Sequence, residues 1–154
     1  MIEYLKQIQK EKKKNIANLP DNVMILYNTS NYPISIDDIL PITDLCIFTN
    51  GRVIAKDGSS HIKQMKLDKK TFKTLKKLLS SKKLHNQTSC MHNDIFDDGG
   101  STTITFRYKK HVHCIENFMC DENNFCKKYN TLHHLIDKIS ELFKDIKYTD
   151  KYHY

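Results

Sequence analysis

The chain has 154 residues, 39% hydrophobic and 28% charged, with a formal net charge of +7. That length suits one domain around one core, and the apolar fraction is too high for a disordered chain. No run approaches the roughly 20 apolar residues of a membrane-spanning helix. The four glycines form no GxGxxG or GxxxxGK[ST] pattern, which excludes a phosphate-cradling loop and its nucleotide chemistry.

The positive charge invites an anionic partner. Nearly all of it is Lys, with Arg only at Arg52 and Arg107. Bidentate recognition of phosphate or guanine prefers the guanidinium fork that Lys lacks. Lys, Asn and Ile together are also what AT-rich coding supplies, so much of the charge reads as solvation and codon usage. Such a composition suits a phage, a large virus or an AT-rich bacterium.

The five cysteines are Cys46, Cys90, Cys114, Cys120 and Cys126, an odd number with no CxxC pair. The start, MIEYLKQIQKEKKKNIANLP, lacks a basic stretch followed by an apolar one. These features predict a cytoplasmic protein with reduced thiols, each acting as a small buried hydrophobe.

In chain order, Ile2, Leu5, Ile8 and Ile16 give residues 2–18 a partial helical stripe, broken by Lys10, Lys12, Lys13 and Lys14 and stopped at Pro20 and Asp21. Residues 1–20 are thus expected as a peripheral N-terminal helix. Val23–Tyr27 reads as a strand. Residues 28–41, with Pro33, Pro41 and the Asp37-Asp38 pair, read as a loop or irregular edge. Thr43–Thr49 and Arg52–Lys56 are strands about Asn50-Gly51, a hairpin signal in which both turn residues tolerate positive φ. After Asp57-Gly58, Ser59–Met65 extends the meander.

Asp68 is a good N-cap for a Lys-rich helix over 68–83, with Phe72, Leu75, Leu78 and Leu79 on one face and Lys69, Lys70, Lys73, Lys76 and Lys77 on the other. A polar loop runs from His85 to Gly100. Ser101–Tyr108 alternates, with Thr103 and Thr105 opposite Ile104 and Phe106, and Lys109-Lys110 turns it into His111–Phe118. Residues 119–130 read as a loop. Asn130 or Thr131 then caps a last helix, whose face carries Leu132, Leu135, Ile136, Ile139, Leu142, Phe143 and Ile146. The tail 148–154 is expected to fray. Strands arriving as hairpins predict one α+β domain over 1–154, an antiparallel sheet of four or five strands with amphipathic helices on one face.

Several of these segments form a familiar series. Cys46–Ile54 is a strand, an Asn-Gly turn and a strand. Leu67–Leu79 is a Leu-rich helix. Asp97-Asp98-Gly99-Gly100-Ser101-Thr102-Thr103-Ile104 leads into a basic hairpin, and Leu132–Phe143 closes the series. Over residues 43–146 it resembles a group of small uncharacterised α+β domains, often bacterial and often exported or lipid-anchored. A fainter likeness is to compact, inhibitor-like helix-grip proteins. The resemblance implies the α+β architecture and carries over no enzymatic residue.

Three constellations bear on chemistry. His111 and His113 share one side of a strand, so two imidazoles plus Cys90, His92, Cys120 or Cys126 could hold a metal ion, although the spacing lacks the two close pairs of structural zinc. Cys114 beside His113 suggests a nucleophile, but strand neighbours point to opposite faces. Asp37 and Asp38, with Asp94, Asp97 and Asp98, could bind Mg²⁺ or Mn²⁺. Asp-Asp-Gly-Gly before a strand is also ordinary turn chemistry. We assign no catalytic, cofactor-binding or metal-binding residue. The sequence leads to a non-enzymatic intracellular protein-binding module without membrane attachment, with interference against a host factor as its viral or phage version. Nucleic-acid binding through the helix at 68–83 is the alternative, and a metal-dependent hydrolase the third.

Overall fold

The computed structural model describes residues 19–30, 42–91, 100–144, 146 and 150–151. Their order is β1 (Val23–Thr29), β2 (Ile42–Phe48), β3 (Arg52–Asp57), β4 (His61–Lys66), α1 (Lys69–Leu79), α2 (Lys82–His85), β5 (Cys90–Met91), β6 (Ser101–Tyr108), β7 (His111–Phe118), α3 (Lys127–Leu142) and β8 (Asp150–Lys151). A 3₁₀ turn, Glu122–Asn124, precedes α3. The strands form one sheet in the order β5-β7-β6-β1-β2-β3-β4-β8. All pairings are antiparallel except β5 with β7.

The α+β class agrees with the sequence, but four or five strands is an undercount. The excess lies partly in β5 and β8, two residues each, too short to show a period of two. Asp150 and Lys151 pair with Ile62 and His61, so this part of the expected frayed tail is tied to the sheet. The expected N-terminal helix lies outside the described residues, apart from Leu19 and Pro20.

Alternation explains why the helices sit where they do. Ile25, Tyr27, Leu45, Ile47, Val53, Ala55, Ile104, Phe106 and Ile115 face one way. They form one core with Leu75 and Leu79 of α1, Leu84 of α2, and Tyr129, Leu132, Ile136 and Ile139 of α3. Of the stripe expected on the last helix, Leu142 is 55% exposed. That helix also begins earlier than Asn130, with Cys126 in the capping position. The other face is not a polar, solvated surface. Val23, Cys46, Phe48, Ile54 and Ile62 are buried there with Leu19 packed on them. Burial lifts the Cys46 thiol to about 12. Beside this cluster Asn28, Asp44 and Lys56 stand abreast on three neighbouring strands. Asn28 donates to Asp44, and Lys56 Nζ is 3.2 Å from Asp44 Oδ2.

One turn and one bond differ from expectation, while the Lys109-Lys110 turn stands where it was expected. The Asn50-Gly51 hairpin is real, but only Gly51 has positive φ (87°), and its N–H donates to the Phe48 carbonyl at 3.0 Å. Thr49, Asn50 and Gly51 thus make a three-residue loop with the left-handed residue last, where glycine costs least. Lys109 turns with φ 55° although it has a Cβ. Cys90 and Cys120 form a disulfide, which corrects the expectation of reduced thiols. Cys46, Cys114 and Cys126 are in no disulfide among the described residues.

Two predictions follow from this packing. The Asp68 carboxylate accepts from the Thr71 N–H (2.7 Å) and the Thr71 hydroxyl (2.9 Å) at the start of α1. These bonds hold its pKa below the usual 3.8. A lowered folded pKa means stability present above 3.8 and lost as the pH falls through the folded value. Asp68→Ala should therefore melt below wild type at neutral pH, with the gap closing in melts run below pH 3.8. Tyr129 is 1% exposed and stacked on Phe125 at 4.4 Å, and its buried hydroxyl has no hydrogen-bond partner among the described residues. Tyr129→Phe should keep the stacking, remove the orphan hydroxyl and raise urea stability by about 1 kcal/mol.

Candidate binding surface

The most unusual local feature is a run of cations without carboxylates. From Lys69 to Met91 the chain carries Lys69, Lys70, Lys73, Lys76, Lys77, Lys82 and Lys83 but no Asp or Glu. All these lysines are exposed, because Leu75, Leu78, Leu79 and Leu84 take the buried positions of α1 and α2. Residues 100–115 are likewise free of acid and contribute Arg107, Lys109 and Lys110. The exposed acids among the described residues are Asp21, Asp68, Glu116, Asp121, Glu122, Asp137 and Glu141, of which Asp68 caps the start of α1. Unbalanced like charge of this kind raises the local potential and steers anions to it.

Where the two basic stretches meet, a cavity of about 370 Å³ opens at the end of the sheet. Met24, Phe72, Leu79 and Tyr108 give its apolar lining, Thr49 a hydroxyl, and Lys76, Arg107 and Lys109 its charge. Each is placed for a reason. The β1–β2 register shifts between Val23 and Ile25, so Met24 as well as Ile25 joins the helix-side core. Pairing of Val23 with Phe48 and of Ile25 with Phe106 brings the Thr49 loop and the Lys109 turn to the same end of the sheet. The amide of Leu67 donates to the Gly51 carbonyl at 2.9 Å, which starts α1 over that end, and Phe72 lies against Gly51.

The cations are positioned rather than merely nearby. Lys76 Nζ lies 5.2 Å from the Phe72 ring centroid and Lys109 Nζ 5.4 Å from that of Tyr108. The Arg107 Nη2 donates to the carbonyls of Leu19 and Pro20, while its buried Nε lacks an acceptor among the described residues. The described lining holds no carboxylate, imidazole or thiol. It offers hydrogen-bond donors beside apolar surface, the chemistry of binding an anion on an apolar body.

The residues singled out from sequence are dispersed. His113 packs on Phe106 and His85, and its Nε2 lies 2.8 Å from the Gln87 carbonyl, while His111 is exposed. Cys90 and Cys120 are consumed by their disulfide, and Cys126 lies by the Lys83 carbonyl. Among the described residues no group of three or more His, Cys, Asp or Glu is placed to hold a metal ion. Cys114 accepts from the Thr105 hydroxyl at 3.4 Å, on the face opposite His113. His92, Asp37, Asp38, Asp94, Asp97 and Asp98 lie outside the described residues. The lysine face is legible in the sequence, whereas the cavity is not, because its lining comes from four separated segments. The Arg-Tyr-Lys-Lys run at 107–110 was the available signal.

No protein-family model matches the chain, and comparison with curated proteins gives no match. Among the described residues, no helix is long and apolar enough to cross a membrane.

Left-handed backbone at a residue with a Cβ is strained. Lys109→Gly should relieve that strain and raise the urea midpoint, equivalent to at most about 1 kcal/mol once the extra freedom of the unfolded glycine is counted.

Proposed function

We propose that the protein is a non-enzymatic protein-binding module that grips an acidic segment of its partner on the lysine face of α1 and α2. The observation that carries this reading is the carboxylate-free run from Lys69 to Met91, with its lysines on the exposed side. Flexible ammonium groups suit carboxylates presented at varied angles on a peptide. If the chain is of viral or phage origin, that partner is a host factor.

Two features favour an acidic protein over nucleic acid. Phe106 is fully buried and Phe48 is 9% exposed, so neither offers a ring on which a base could stack. Arg52, one of the two arginines that would read phosphate and guanine best, is engaged within the chain, where it donates to Gln64. The Cys90–Cys120 bond also bears on the setting, because disulfides persist where the surroundings are oxidising. It weighs against the cytoplasmic expectation.

Fluorescence anisotropy with a labelled Glu-rich peptide and an oligothymidylate of equal charge tests the reading. The peptide should bind saturably, weaken with added salt, and lose about tenfold in affinity when Lys69, Lys70, Lys73 and Lys77 are replaced by Gln. Binding of the oligonucleotide but not the peptide would replace this reading with the nucleic-acid one.

A further inference from the structure

We propose that the cavity between α1 and the Lys109–Lys110 turn seats the carboxy-terminal residue of the partner, its side chain on Phe72, Leu79 and Met24 and its terminal carboxylate among Lys76, Arg107 and Lys109. This rests on the acidic-partner reading and names what that partner presents.

The size comes first. At about 370 Å³ the cavity stands near the lower limit of ligand sites, which run from roughly 300 to 1,000 Å³. It takes a single residue or a small molecule, not a helix. Its apolar floor and its cations lie side by side. An internal Asp or Glu brings a carboxylate on a short polar chain and would leave the apolar floor unused. An internal Leu or Phe would leave the cations unused. A carboxy-terminal apolar residue carries both groups on one carbon, side by side, as the lining presents them.

Lys76 and Lys109 make no ion pair among the described residues, and each is held close to an aromatic ring of the lining. Arg107 adds a charge fixed from behind by the Leu19 and Pro20 carbonyls, with a buried Nε–H still lacking an acceptor among the described residues. Donors already fixed in place lose little freedom when an anion arrives. The cavity also adjoins the lysine face through Lys76. Acidic residues preceding the terminus can therefore run along α1 while the last residue enters.

Two acidic peptides of one sequence ending in Phe, one a free acid and the other an amide, provide the test by anisotropy. The acid should bind about tenfold more tightly than the amide. Lys76→Gln and Lys109→Gln should each abolish most of that preference while leaving the amide within about twofold, the size of a single exposed charge contact. Thermal melts confirm that both variants fold. Equal binding of acid and amide overturns the proposal but leaves the acidic-partner reading standing, provided both peptides still depend on Lys69, Lys70, Lys73 and Lys77. A preference for the acid that neither variant alters overturns it too. Failure of both peptides to bind wild type overturns both readings. A 5′-phosphorylated oligothymidylate that alone shows the Lys76 and Lys109 dependence overturns them in favour of nucleic acid.

Discussion

The register of β1 against its two neighbours is the constraint from which the remaining geometry follows. β1 lies inside the sheet, paired with β2 on one edge and β6 on the other, although those strands lie on either side of a long stretch of chain. Because side chains alternate, a slip of one residue in β1 would turn Ile25 and Tyr27 away from the helices, while Leu45, Ile47, Ile104 and Phe106 on its neighbours still faced them. The register that avoids this also sets the ends of the strands level. It places the Thr49 loop and the Lys109 turn on either side of the start of β1. The cavity is a product of that levelling, closed above by α1.

The sheet is more heavily buried than an antiparallel sheet with one wet face. On the side away from the helices, Cys46, Ile54 and Ile62 are at most 2% exposed. The Asn28–Asp44–Lys56 ladder sits beside them, with Lys56 at 4% exposure. A buried cation is tolerable only when paired, and Asp44 supplies the pair while its own oxygens are satisfied by Asn28 and Thr43. Removing one member would leave the others buried without a partner across the strands.

The long strands and the two main helices were legible because each carries a period. The Thr103/Ile104 and Thr105/Phe106 alternation gives β6, and the spacing of Leu75, Leu78 and Leu79 gives α1. Elements without room for a period were not legible. α2 has four residues and β5 two, and each exists because of what it packs on: Leu84 in the helix-side core, Cys90 against β7. The three-residue loop at Thr49–Gly51 uses the same Asn-Gly pair as a two-residue one would, so residue identity does not decide between them. The Cys90–Cys120 pairing is likewise a tertiary fact, since an odd cysteine count favours no partner. The lysine face could be read from the sequence. The cavity could not, because Met24, Thr49, Phe72 and Lys109 come together only when two hairpins and a helix are assembled.

The disulfide gives this assembly a topological property. Cys90 and Cys120 are 30 positions apart, and the segment between them contains all of β6 and β7. That segment is a covalent ring with the β6–β7 hairpin inside it. A single peptide-bond cleavage anywhere within the ring would linearise it without releasing a fragment. The strand bearing Arg107 and the turn bearing Lys109 would stay attached to the rest of the sheet through sulfur after their own main chain had been severed.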